Sequence, residues 1–307
     1  MREFTANKND EGKRLDRFVT KAAPLLPMSL MQKYIRIKRI KVNGKRAEKD
    51  YRLMEGDKIE MYINDEFFAS EPAAAAPASF NDKGDGKQKA VSSSLNIVHE
   101  DDDLILINKP SGMACHPYDG AKKGETLIDI VKAYLIEKGD WDPARETTFV
   151  PALCNRIDRN TSGIVIAAKN AHALASTNEK IKNREITKKY LLIVHGVPAK
   201  KESIIEGYLV KNERTNTVAL SDKPVNDGKL SKTKYRVLRE KDGMALVECE
   251  LITGRSHQIR VMMASIGHPL LGDHKYGMKD SRRYQALCAY KLTIDGKTYE
   301  IKPDFNL

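Results

Sequence analysis

Asp158 and Arg255 are the residues whose type and setting could do chemistry. Asp158 stands between two cations in Asn155-Arg156-Ile157-Asp158-Arg159-Asn160, ahead of Thr161-Ser162-Gly163 and the apolar run from Ile164 to Ala168. That run reads as a buried strand, which puts the aspartate at the end of a loop, at the strand's mouth. A carboxylate ringed by arginines is expected to be ionised and hydrogen-bonded, and such an anion can act as a nucleophile. For an isolated aspartate the plainer reading is a turn cap with an arginine partner. The second segment, Thr253-Gly254-Arg255-Ser256-His257-Gln258-Ile259-Arg260, shifts that balance. Ser256 can cap a helix that buries Ile259, Met263 and Ile266, leaving Arg255 just ahead of its start. A guanidinium there can fork onto a carboxylate, although surface arginines and structural ion pairs are common.

The elements that must hold these residues follow from periodicity. Ile97 to Glu100, an acidic turn, and Leu104 to Ile107 read as strand, hairpin tip and buried strand, ending in Asn108-Lys109-Pro110-Ser111-Gly112. Leu127, Ile130, Val131, Tyr134 and Leu135 mark one amphipathic helix, and Leu174 to Ile181 another. Lys188 to Val194, Tyr235 to Val237 and Ala245 to Leu251 read as further strands. Strands and helices interleave without strict βαβ order, so an α+β domain around a mixed, largely antiparallel sheet is expected.

The amino-terminal part has a different character. Leu15, Phe18, Val19 and Ala22 recur at helical spacing, and after Pro27 so do Leu30, Met31, Tyr34 and Ile35. The second of these helices carries Lys33, Arg36, Lys38 and Arg39 on it or just beyond it, then Val42-Asn43-Gly44-Lys45, where Asn-Gly signals a tight turn. Ile59, Met61 and Ile63 alternate as a strand should. The whole chain has 53 Lys+Arg against 42 Asp+Glu, a formal charge of +11 that implies an anionic partner such as nucleic acid. Residues 1 to 63 hold 16 Lys+Arg and 9 Asp+Glu, so the electrostatic handle is concentrated there. From Phe67 to Ser94 the sequence turns to Ala, Pro, Ser and Gly with little to bury. Three parts are therefore expected: a small basic domain over 1–66, a flexible linker over 67–94, and a catalytic domain over 95–307.

Several classes are disfavoured. No stretch approaches a membrane span and no apolar signal core follows Met1, so a soluble cytoplasmic protein is expected. Cys115, Cys154, Cys249 and Cys288 are scattered and never form a C-x-x-C pair, which argues against a disulfide framework or a zinc ribbon. His268, Asp273 and His274 could tempt one toward a metal, but a single such cluster reads better as a hydrogen-bonded loop, and no metal is expected. No glycine-rich phosphate loop is present, so neither a nucleotide nor any other cofactor is expected.

Taken in order, the Asp158 segment, the Asn-Lys-Pro-Ser-Gly loop, the Lys188-Lys189-Tyr190 strand, the Arg255 segment and the loop from Gly267 to Gly277 resemble the RluA-type family of RNA pseudouridine synthases. Where that family usually has His-Arg-Leu-Asp, this chain has Asn155-Arg156-Ile157-Asp158, keeping the arginine and the aspartate. Residues 13 to 63 resemble the small RNA-binding domain named after ribosomal small-subunit protein four. The resemblance implies an isomerase that detaches uracil from its ribose, rotates it, and reattaches it through a ring carbon. By motif match Asp158 is the catalytic aspartate, acting at the sugar or at the ring. Tyr190 would stack on the base and take or relay a proton, Arg255 would hold Asp158, and Arg156 would fill the gap left by the flipped nucleotide. Lys33, Arg36, Lys38, Arg39 and Asn43 would face structured RNA. Ribosomal RNA is the first choice of substrate and transfer RNA the alternative, with a monomer as the default. A protein of a different class, an RNA-binding or ribosome-assembly factor that keeps the fold but acts by binding, would fit the charge but not the joint presence of Asp158, Tyr190 and Arg255.

Overall fold

The computed structural model describes residues 1–68, 95–118, 120, 124–215 and 217–307. By contact they fall into two units: 1–68 with 128–152 and 168–175, and 95–127 with 153–167 and 176–307.

In the first unit, strands β1 (Arg2–Thr5), β2 (Ile40–Val42) and β3 (Lys58–Met61) form an antiparallel sheet in the order β1-β3-β2, beside helices α1 (Leu15–Ala22) and α2 (Met28–Arg36). The expected spacings build its core: Leu15, Phe18 and Val19 from α1 meet Met31 and Ile35 from α2 and Ile40, Val42, Ile59 and Met61 from the sheet. Each such side chain, fully buried, contributes about 1.5–3 kcal/mol. Asn43 and Gly44 both have positive φ, 51° and 72°, the geometry that the Asn-Gly pair announces. The core runs on to Phe68, which is buried and stacks on Phe4 with ring centroids 6.2 Å apart. Of the expected linker only Phe67 and Phe68 are among the described residues; 69–94 lie outside them. Polar contacts join the segments of this unit: Asn9 Nδ2 donates to Glu146 at 2.7 Å, Asn9 Oδ1 accepts the Ala171 N–H at 2.9 Å, and Thr148 bonds Asp10. Two longer helices, α3 (Leu127–Lys138) and α4 (Ala171–Lys182), match the amphipathic patterns.

The second unit is built on an eleven-stranded sheet. Its strands are β4 (Ile97–Glu100), β5 (Leu104–Lys109), β6 (Ala152–Leu153), β7 (Ser162–Ala168), β8 (Thr187–His195), β9 (Glu202–Asn212), β10 (Thr217–Ser221), β11 (Lys229–Lys241), β12 (Met244–Leu251), β13 (Leu287–Ile294) and β14 (Lys297–Glu300). They run in the order β10-β9-β11-β12-β8-β13-β7-β5-β4, with β14 on β13 and β6 on β7. Neighbours from β10 to β13 are antiparallel, whereas β7 and β13 are parallel, so the sheet is mixed and mostly antiparallel, as the element order suggested.

One glycine sets the spacing beneath the site. Gly163 has φ 126°, and a Cβ there would lie 2.5 Å from the backbone N and O of Ala289, its register partner on β13. Any side chain would push β7 off β13. Because β13 lies between β7 and β8, this close approach fixes how far the loop before β7 stands from β8.

Two local expectations are corrected. The helix after Thr253, α5 (Gln258–Ser265), is preceded by His257 at its N-cap, with φ 55° and no side-chain cap bond, rather than by Ser256. Ile266 is 38% exposed because the helix stops one residue before it; Arg260, Val261 and Met262 are buried instead.

Candidate active site

Asp158 sits in a turn closed by the Thr161 N–H donating to its carbonyl at 3.1 Å, directly before β7. That loop is tied to the Pro-Ser-Gly loop after β5. The Gly112 N–H donates to the Arg159 carbonyl at 2.9 Å, and Arg159 Nε returns a bond to the Gly112 carbonyl at 3.0 Å. Lys109, with no exposed surface, reinforces the tie: its Nζ donates to the carbonyls of Pro110, Met113 and Arg159 at 2.9, 2.8 and 3.1 Å. Burial lowers this ammonium to about 8, with the nearby charge of Asp158 working the other way. Three carbonyl acceptors match its three donors, and it stays charged at neutral pH.

The cation that engages Asp158 is Arg260, not Arg255. Arg260 Nη1 donates to Asp158 Oδ2 at 3.2 Å, while its Nε and Nη2 fork onto Asp273 at 2.7 and 2.8 Å. Asp273 is fully buried; besides Arg260 it accepts the N–H groups of Lys275 and Tyr276, and these bonds hold its carboxyl below the usual range although burial opposes them. Arg255 is exposed ahead of α5, where its own backbone N–H donates to Gln258 at 3.1 Å. Position in the helix decides the matter: Arg260 lies in the first turn on the buried side, whereas Arg255 lies ahead of the N-cap His257 and is exposed.

Tyr190 is buried on β8, opposite Cys249 of β12. Its phenol is pushed well above the ordinary tyrosine range, first by burial and then by the negative charge of Asp158, so it keeps its proton at neutral pH. A cavity of about 670 Å³ is lined by Arg156, Asp158, Tyr190, Arg255, His257 and Arg260. A second, of about 750 Å³, shares Arg156, Asp158, His257 and Arg260 and adds Arg159, Lys211, Lys275 and Arg283. Asp158 thus stands on a wall common to two basic hollows, the first of which also has an apolar side made by residues such as Ile181, Ile186 and Leu287. Among the described residues no group of three or more His, Cys, Asp or Glu side chains could hold a metal ion; Asp273 serves Arg260.

The remaining expected contacts lie in the first unit. Lys33, Arg36, Lys38 and Arg39 are exposed on α2 and just after it, with the Arg39 guanidinium 5.4 Å from the Tyr34 ring centroid. Asn43 is different. Its side chain donates to Asp57 at 2.7 Å and accepts the Lys58 N–H at 2.9 Å, so its amide is used inside the fold, holding the turn onto β3.

A carboxylate held by a buried guanidinium, a buried phenol near it and basic hollows alongside bring together groups able to do acid–base or nucleophilic work. Comparison with known proteins gives the class. Residues 103–265 match the family model described as RNA pseudouridylate synthase, just over half of the chain. A ribosomal large subunit pseudouridine synthase C from Rickettsia conorii is 33% identical over 293 residues, 93% of this chain and 90% of that protein. An uncharacterized RNA pseudouridine synthase from Bacillus subtilis is 30% identical over 295 residues, 95% of this chain and 89% of that protein. Among solved structures, human RNA pseudouridylate synthase domain containing 1 aligns with a TM-score of 0.55 at 25% identity, over 69% of this chain and 84% of that one.

The fold is therefore that of an RNA-modifying isomerase. The chain belongs to the RNA pseudouridylate synthase family, as its ordered motifs suggested. Among the described residues no helix is long and apolar enough to cross a membrane.

Proposed function

We propose that this chain converts specific uridines of large-subunit ribosomal RNA to pseudouridine, with Asp158 as its catalytic aspartate. The observation that carries the assignment is the Arg260–Asp158 contact at 3.2 Å beside the buried Tyr190, at the wall of a cavity large enough for a small ligand, whose usual range is roughly 300–1,000 Å³. A uridine in a stem cannot reach that wall, so it must leave its stack at a cost of a few kcal/mol. Arg156, exposed at both hollows, would support the flipped state, and the basic side chains around it would take flanking phosphates. At the reacting centre the N1–C1′ bond is exchanged for C5–C1′, C5 loses its proton and N1 gains one. Asp158 acts at the sugar or at the ring, and Tyr190, holding its proton, stacks on the base and relays one. The reaction needs no electron carrier.

Relatives named for the large ribosomal subunit favour ribosomal RNA over transfer RNA as substrate. The basic residues of α2 form the electrostatic grip of a small RNA-binding domain, expected over 1–66 but with its core reaching Phe68, and a catalytic domain is expected over 95–307. The substrate is tested by mapping pseudouridines in cellular RNA with and without this protein. Loss of sites confined to large-subunit ribosomal RNA supports the reading; loss confined to transfer RNA replaces it.

A further inference from the structure

We propose that His257 is a positioning residue for Asp158: its imidazole, fixed by Tyr276, presents an Nε2–H to the carboxylate oxygen that Arg260 already holds, leaving the other oxygen to face the substrate. The inference rests on the reading of Asp158 as the catalytic carboxylate.

The geometry gives the imidazole one orientation and is compatible with the Nε2–H tautomer. Tyr276 Oη accepts the Val218 N–H at 2.9 Å and lies 2.6 Å from His257 Nδ1. A backbone N–H can only donate, so the phenol oxygen accepts from β10 and its own proton is free to go to Nδ1, as in the proposed arrangement. The ring proton is then on Nε2, which lies 3.9 Å from Asp158 Oδ2. That distance is longer than a hydrogen bond, as catalytic contacts often are before substrate closes the site. Arg260 completes the frame: its guanidinium touches the same Oδ2 at 3.2 Å and lies 5.0 Å from the Tyr276 ring centroid.

Two further observations separate this histidine from an ordinary core residue. His257 holds φ 55° at the N-cap of α5, a left-handed conformation uncommon for a residue with a side chain. It also lines both hollows, on the wall that Asp158 occupies. Burial lowers its pKa, so the ring is neutral at pH 7. Asp158 and Asp273 favour its charged form, Arg260 and Lys275 oppose it, and Tyr276 bonds it from the loop after α5. Protonation in acid would put a hydrogen on Nδ1, which Tyr276 Oη can accept, and would leave the Nε2–H toward Asp158 in place.

The test compares full-length wild type, H257A, H257Q and D158N by single-turnover pseudouridine formation and by RNA affinity across pH. Glutamine places an N–H near the position of Nε2 and does not titrate; both His257 variants carry the same backbone strain, and thermal unfolding of each reports any general loss of fold. H257A is expected to slow the chemical step about 10- to 100-fold with RNA affinity within about twofold, the scale of a misplaced catalytic group. H257Q, which supplies an N–H in place of Nε2–H, is expected to recover at least about threefold of that loss. H257A at the wild-type rate, or H257Q no better than H257A, would each overturn the proposal. Activity in D158N would overturn the underlying reading instead, whereas an inactive D158N beside an unimpaired H257A would remove the role of His257 alone.

Discussion

Arg260 reaches Asp158 with a single nitrogen, Nη1 at 3.2 Å, because its Nε and Nη2 are committed to Asp273. The planar fork onto a fully buried carboxylate anchors the guanidinium, and the third nitrogen projects toward the loop before β7. Asp158, 28% exposed at its side chain, is held without being covered.

A lysine cannot reproduce that double engagement, since it offers a compact point charge on a flexible stem. R260K is expected to lower unfolding free energy by about 1.5–3 kcal/mol, the range for a lost charged hydrogen bond at a buried group. Its turnover is expected to fall about 10²-fold. Denaturant titration and single-turnover kinetics on the same preparation check both; a variant with wild-type turnover would detach Arg260 from the chemistry.

Lys109 ties the Asp158 loop to the loop after β5, and its titration has a defined sign. Its folded-state value, about 8, lies below the ordinary lysine value of 10.5, so between these two the unfolded chain binds more protons than the folded one. Unfolding free energy from this group therefore rises with pH over that window, by up to about 1.4 kcal/mol per pH unit. K109M should be the less stable protein at pH 7, by about 1–3 kcal/mol, because buried carbonyls are left unpaired. It should also lack the slope, so the gap to wild type should widen from pH 8 to 9.5 in denaturant titrations.

Tyr190 holds its proton under burial and the charge of Asp158. Y190F keeps the ring and removes the hydroxyl. If the phenol relays a proton, the chemical step slows about 10²- to 10⁴-fold while RNA affinity changes little. A full-rate Y190F would leave the ring with stacking alone.

The basic residues of α2 and the turn after it should act through phosphates. Replacing Arg36 and Lys38 by Ala is expected to weaken RNA binding for all sequences alike and to lower the slope of log affinity against log salt by about 1 for each charge removed. Asn43→Ala should instead cost stability, since its amide bonds Asp57 and Lys58. Affinity measured from low to moderate salt separates the two.

How far the sequence carries is plain from particular residues. Helices α1 and α2, the Asn43-Gly44 turn and the buried strand β7 were legible because apolar spacing and turn chemistry are local. The β9–β10 hairpin was not, since β9 is interrupted by charges, β10 is only five residues long, and both are buried only in part. At the site, Asp158 and Tyr190 could be nominated by type and motif. Its arginine partner could not, because the choice between Arg255 and Arg260 depends on where α5 begins and on Asp273, thirteen residues further on. The signal that could have found it was a charge inside the apolar run Ile259 to Met263. His257 and Tyr276 left no sequence signal of pairing; only the folded loop brings them together.

The most direct measurement is pseudouridine formation by Asp158→Asn in the full-length protein on its RNA, read beside RNA affinity. The asparagine keeps the size and the contact to Arg260 but removes the charge. The account expects no detectable product with affinity within a few-fold of wild type. Product formed at the wild-type rate would contradict it.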